Sequence, residues 1–468
     1  MAHPGPQQQS GSAADTSLLR GLSLTDSVLL LMGGIIGSGV FLTASSIATT
    51  TRNPIFFLAV WIVGGGISLL ACFAFAEMSA MFPQAGGQYV FLREAYGEFP
   101  AFLYGWMIFS VAQSGTIAAL AVGFAEYFGV VVPFAAAHAP ILHIARFTLT
   151  RGDLVAIASI VVLTTVNVLG VKRGSALINV STVAKFVAIA TFILLGLLIG
   201  NGHWSNYSIS IPATQPMSLG HLVSGFGVAL IGVFWAFDGW VYITWAAGEI
   251  RNPQRVLPRA LVLGILLVCG IYVAINAVYL YALPITRVAQ EETIAQAAGV
   301  QLFSSRAALW LSATIALSCF GAMSCAILSS ARVTYAMARD RVFFEAMGRV
   351  HPRYRTPGFS LISLSAWAVV LALSGTFDQL YTYTMFMMVL SYAATVAGLF
   401  VLRRTHPETP RPYRCTGYPY LPALYVLFAG AWALNSVVTR PKETVIGIAI
   451  VFLGAPFYFL SKRQRARS

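Results

Sequence analysis

Two interrupted apolar stretches carry the chemistry of this chain. The first reads LLLMGGIIGSGVFL and places Gly33, Gly34, Gly37 and Gly39 in a run otherwise long enough to cross a bilayer. The second, about two hundred residues on, reads VFWAFDGWVYI, with Asp238 and Gly239 at its middle. Glycines or a charge at bilayer depth free backbone groups that no lipid can satisfy, and such a backbone persists only where it lines a cavity or is buried in protein. Unwinding around Ile36, Gly37, Ser38 and Gly39 leaves carbonyls without partners at the end of the first half-helix and N–H groups without partners at the start of the second. The first end attracts cations and the second attracts anions. Gly37 and Gly39 let a ligand approach the backbone, and Ser38 adds a hydroxyl. The second break adds carbonyls from Trp235, Ala236 and Asp238. A ligand with a carboxylate and an ammonium on one carbon, an α-amino acid, meets both needs at once. A lone GSG reads better as a kink or a close helix crossing. Its match to a second break is what points to a site, since paired interruptions in corresponding segments mark transporter binding sites.

Three further residues bear on this site. Asp238, as an intramembrane carboxylate, is either a ligand for an ammonium or cationic side chain or the N-cap of the helix restarting after it. Trp235 is placed to close over a substrate or simply to pack. Lys185, in STVAKFVAIATF, is a mid-helix cation that costs about 2.5–3.5 kcal/mol to insert and so needs acceptors. The carbonyls of a broken helix are suitable. The ammonium then either does the structural work of a bound sodium ion or titrates during proton coupling. Ser324, Ser329 and Ser330 are candidate partners for it, Ser114, Gly115 and Thr116 are candidates for the cavity wall, and Glu77 and Glu249 are expected to pair with loop arginines.

The elements that hold these residues must be membrane helices. The 468 residues are 57% hydrophobic and only 10% charged, with a mean hydropathy of +0.76, against about 25% charged in soluble domains. Twelve spans fit: about 24–47, 55–80, 100–129, 152–170, 175–200, 219–247, 259–283, 303–338, 358–374, 379–402, 420–438 and 443–461. Counted from the two breaks, residues 22–200 and 219–402 form two five-span halves. An odd number per half inverts their orientation, and residues 420–461 add two spans. Residues 1–21 read as a disordered tail and 462–468 as a basic one, around a single transmembrane domain over 22–461. The net charge of +13 reflects topology rather than nucleic acid. Lys172, Arg173, Arg251, Arg255, Arg259, the run from Arg339 to Arg355, Arg403 and Arg404 fall in segments that share one side, which makes both termini cytoplasmic. Of Cys72, Cys269, Cys319, Cys325 and Cys415, none forms a CxxC, so neither a disulfide framework nor a metal site is expected, and no cofactor either. The short loops leave no room for a soluble catalytic or signalling domain, and HExxH and GxSxG motifs do not occur.

GGIIGSGVF, FAEMSAMFPQAGGQYVFLREAYG, FWAFDGW, AGEIRNPQRVLPRA and RPYRCTGYPY, in this order over residues 22–460, resemble the amino acid–polyamine–organocation superfamily, in particular its L-type amino acid transporter branch and bacterial relatives. The resemblance implies an all-α, twelve-helix fold of the leucine-transporter type and a sodium-independent permease working by exchange or proton-coupled uptake. It implies that Ile35, Ser38 and Gly39 hold the substrate's α-amino and α-carboxylate groups, and Trp235, Ala236 and Asp238 would bind the amino group and gate the site, with Trp235 standing where the branch usually has Phe. Ile36, Gly37 and Phe237, between them, are expected in the same substrate site. Lys185 matches the lysine that replaces sodium in sodium-independent members. Residues 130–151 lack the cysteine that tethers animal relatives to a glycoprotein subunit, so no disulfide-linked subunit is expected, and a bacterial cytoplasmic membrane is implied. Two other functions fit the same pocket: a carrier of polyamines or other organic amines, with Asp238 pairing the cation, and an amino-acid-sensing receptor.

Overall fold

The computed structural model describes residues 21–84, 86–144, 147–212, 219–354, 356–374, 377–439 and 441–465. Of the expected tails at 1–21 and 462–468, residues 1–20 and 466–468 lie outside them, while 462–465 continue the last helix rather than forming a separate tail. Among the described residues ten helices are long and apolar enough to cross a membrane, and two shorter apolar helices, Leu222–Phe237 and Gly358–Leu373, bring the set to twelve.

The first span is three pieces, α1 (Leu24–Ile35), α2 (Gly39–Leu42) and α3 (Ala44–Thr51). A capping box starts α1: Ser23 Oγ accepts from the Asp26 N–H at 3.2 Å and the Asp26 carboxylate accepts from the Ser23 N–H at 2.9 Å. The second span, α4 (Pro54–Met81), begins on an Asn53 cap with proline at its first position. A surface helix, α5 (Gln88–Tyr96), precedes α6 (Glu98–Met107) and α7 (Gln113–Val131). The last two make one span, expected as a regular helix but carrying a π-turn at Ile108–Ala112. The wider turn lets Ser114 Oγ donate to the Phe109 carbonyl at 2.6 Å and Trp367 Nε1 to the Ser110 carbonyl at 2.8 Å.

The following connection is not wholly irregular. Strands β1 (Pro140–Ile144) and β2 (Phe147–Thr150) pair as a small antiparallel hairpin, the one sheet among the described residues. Then come α8 (Arg151–Val168), α9 (Val171–Ile199), α10 (Leu219–Phe237) and a single turn, α11 (Tyr242–Trp245). The second half continues with α12 (Pro253–Ala282), the short α13 (Ile285–Val288) and α14 (Ile294–Leu302), then α15 (Ser305–Arg339), α16 (Gly358–Ser374) and α17 (Phe377–Thr405). Last are α18 (Tyr420–Thr439) and a final span in two pieces, α19 (Pro441–Phe452) and α20 (Ala455–Arg465).

Packing sorts these helices into two groups. α4 lies along α12, which also holds α1, while α10 packs on α3 and α4. In the other group α7 packs on α15, α16 and α8, and α16 on α8. α9 bridges the groups, touching α15, α1 and α12. Gly64 of α4 permits the approach of Val233 of α10, and Gly105 of α6 that of Met337 of α15. A Cβ at either place would collide with these side chains, and Met337, being flexible, yields more easily than Val233.

Candidate functional site

Both expected breaks are present, and they face each other. α1 stops at Ile35 and α2 restarts at Gly39; α10 stops at Phe237 and α11 restarts at Tyr242. Gly239 carries a φ of +101°, and a Cβ there would lie 2.6 Å from the Gly34 carbonyl oxygen and 3.2 Å from the Ile35 nitrogen. A Cβ on Gly39 would fall 2.8 Å from that of Ala236. These two glycines are therefore what allows one unwound backbone to lie on the other.

The freed carbonyls have specific donors. Lys185 Nζ, on α9 and almost fully buried, donates to the Gly33 carbonyl at 2.7 Å and to that of Ile36 at 2.5 Å. Ser318 Oγ of α15 shares the Ile36 carbonyl at 3.0 Å. The α15 partner of this node is thus Ser318 and not the three serines expected from sequence. Ser324 Oγ instead accepts from Asn167 Nδ2, Ser330 Oγ donates to the Ala326 carbonyl, and Ser329 Oγ faces Cys325 Sγ. Tyr272 of α12, a residue missed at the level of sequence, ties the two breaks together. Its hydroxyl lies 2.8 Å from the Ala236 carbonyl and 3.2 Å from that of Ile35. A tyrosine at the centre of an apolar span was the available signal.

Between the breaks lies a cavity of about 20 Å³ lined by Gly34, Ile35, Gly37, Ser38, Gly39, Thr116, Leu120, Trp235, Asp238 and Tyr242. It therefore collects six of the nine residues expected there. Ile36 is turned to the Lys185 node through its carbonyl. Ala236 packs on Gly39. Phe237 points away and meets Tyr272 edge-on at 5.1 Å between ring centres. Of the three expected wall positions on span 3, Thr116 lines the cavity, while Ser114 is spent on the π-turn. Asp238 does not cap the restarting helix, whose N-cap is Val241 without a side-chain bond. Its Oδ1 accepts from the Tyr392 hydroxyl of α17 at 2.6 Å. Two buried polar atoms in this wall, Ser38 Oγ and Asp238 Oδ2, have no hydrogen-bond partner. Both atoms are therefore open to a polar ligand.

The amino acid permease family model matches residues 22–455. The chain belongs to that family. It is 29% identical to the serine/threonine exchanger SteT of Bacillus subtilis, over 97% of this chain and 99% of the relative. It is 30% identical to the b(0,+)-type amino acid transporter 1 of Homo sapiens, over 97% of this chain and 90% of that one. With the human Asc-type amino acid transporter 1 it shares 26%, over 98% and 85% of the two chains. The matched proteins are transporters and exchangers rather than enzymes, and the permease described here is a multi-pass membrane protein of the same kind.

Proposed function

We propose that this permease carries L-amino acids across the cytoplasmic membrane by alternating access and without sodium. The observation that carries this reading is the cavity between the two breaks. It offers the start of α2, with its unpaired N–H groups, to a carboxylate. It offers the open oxygen of Asp238 to an ammonium. Lys185 supports sodium independence, because a fixed ammonium already occupies the carbonyls that would otherwise need a cation. A cavity of about 20 Å³ has room for little more than one water, so a substrate needs it to widen. Binding then requires the group containing α1, α4, α10 and α12 to rock against α7, α8, α15 and α16. Residues 22–200 and 219–402 act as inverted halves, with 420–461 added, both termini cytoplasmic, and no disulfide-linked subunit.

The test is counterflow in proteoliposomes. Vesicles preloaded with one unlabelled L-amino acid take up its labelled form in sodium-free buffer, and a panel of amino acids competes while amines lacking a carboxylate do not. Serine and threonine are the first to try, given the name of the Bacillus subtilis relative. Competition by carboxylate-free amines instead would favour an amine carrier, for which the Asp238 oxygen is the supporting feature. Binding with no flux would favour a sensor.

A further inference from the structure

At the end of the molecule opposite the surface helix α5, three side chains from separate segments converge. Glu126 sits on the last turns of α7, His138 in the turn before β1, and Glu292 just ahead of α14. His138 Nε2 lies 3.6 Å from Glu126 Oε2 and 3.6 Å from Glu292 Oε2, and the three ligand atoms all lie within 4.8 Å of one another. Those 3.6 Å spacings are too long for hydrogen bonds. They are close to the ~3.4 Å that separates two ligands each bound ~2.1 Å from a tetrahedral zinc. An imidazole with two carboxylates is also a donor set that suits zinc and leaves a fourth position for water. The neighbouring Glu291 is already paired with Arg287 at 2.8 Å, whereas the partner that Glu292 faces is His138. Cysteine spacing gives no hint of such a site, because no cysteine takes part.

We propose that Glu126, His138 and Glu292 form an external site for a zinc-class divalent cation, which clamps the connection between α12 and α15 to the end of α7. That connection also holds the first span: Thr49 Oγ1 of α3 lies 3.3 Å from the Ala289 carbonyl, and α13 packs on α3. A metal here therefore joins the α3 side of the molecule to the α7 side, the two groups that must separate during transport. The clamp rests on the alternating-access reading; the site itself does not.

Binding is read by calorimetry and thermal melting of tag-free protein in detergent with ZnCl2. One zinc per chain and a melting rise of roughly 3 °C or more at saturation are expected. Both should be lost in His138→Ala and in Glu292→Gln, whose metal-free melting stays at the wild-type value because both side chains are exposed. Absence of zinc binding, or its survival in the double variant, overturns the site. In intact cells external ZnCl2 should slow uptake by roughly fivefold or more in the wild type and not in His138→Ala. Zinc binding without slowed uptake overturns the clamp alone.

Discussion

Lys185 is the residue on which the broken first span depends. Lys185→Met keeps the length of the side chain but removes donors from the Gly33 and Ile36 carbonyls. A buried acceptor left open costs about 1–3 kcal/mol, and each 1.4 kcal/mol is about tenfold in affinity. Substrate binding should weaken by roughly tenfold to a hundredfold in a direct binding assay, with the protein still folded. If binding is kept and only the pH dependence of uptake disappears, the lysine is a proton carrier rather than a structural cation. Gly239→Ala is expected to lower both uptake and thermal stability. It places a Cβ against the Gly34 carbonyl at a φ of +101°, a strain of about 1–3 kcal/mol; wild-type melting and uptake in that variant would show that the two backbones can separate freely. Lys185, Ser38 and Asp238 were legible as candidate site residues because each is polar or small where an apolar residue is the default. Tyr272 and Ser318 were not, since a hydroxyl in an apolar helix acquires its meaning only from the carbonyl it faces.

Between elements, buried ion pairs tie the end that carries the basic segments. Glu77 of α4 is fully buried and accepts from Arg403 Nη2 at 2.6 Å, from Arg403 Nε at 3.0 Å and from the Cys415 N–H at 2.6 Å, with Arg411 Nε 3.2 Å away. Glu249 pairs with Arg332 at 2.5 Å. Arg332 lies on α15, so that partner is not the loop arginine expected, whereas Arg411 is one. Beside them, Arg93 and the Tyr89 hydroxyl both bond Asp340. Burial, then the Asp340 charge, pushes the Tyr89 phenol up, so it stays a donor. Glu77→Gln should cost about 3–5 kcal/mol, because two arginines and a backbone N–H lose a charged acceptor. A clear fall in melting temperature is the expected reading, and an unchanged one would show that the hub carries no stability. Helix caps form at Ser23, Asn53 and Ser304, where a Ser or Asn side chain accepts from the first turn. The π-turn at Ile108–Ala112 was not legible in the sequence, because no proline or glycine marks it.

At the scale of the whole molecule the prediction concerns sidedness. In a cysteine-free background, an impermeant maleimide applied to intact cells should label Glu292→Cys and leave Glu345→Cys unlabelled; both positions have well-exposed side chains. The reverse pattern would turn the molecule over. The division of packing into α4 and α12 with α1 and α10, against α7 with α8, α15 and α16, is what the proposed rocking motion would exploit, with α1 also packing on α15 across the cavity.

Composition and spacing alone determined that the chain crosses a membrane about twelve times, that spans 1 and 6 are broken, and that a buried lysine must find acceptors. Those are one-dimensional properties: hydrocarbon thickness sets span length, and a glycine or charge at bilayer depth needs a partner wherever the chain goes. Which partner it finds is a matter of three dimensions. Only the tertiary structure decided that Tyr272 bridges both breaks, that Asp238 turns to Tyr392 rather than capping α11, that Phe237 faces away, and that Glu126, His138 and Glu292 meet. Each depends on the rotation of one helix about its axis against another, which the packing of the assembled bundle sets.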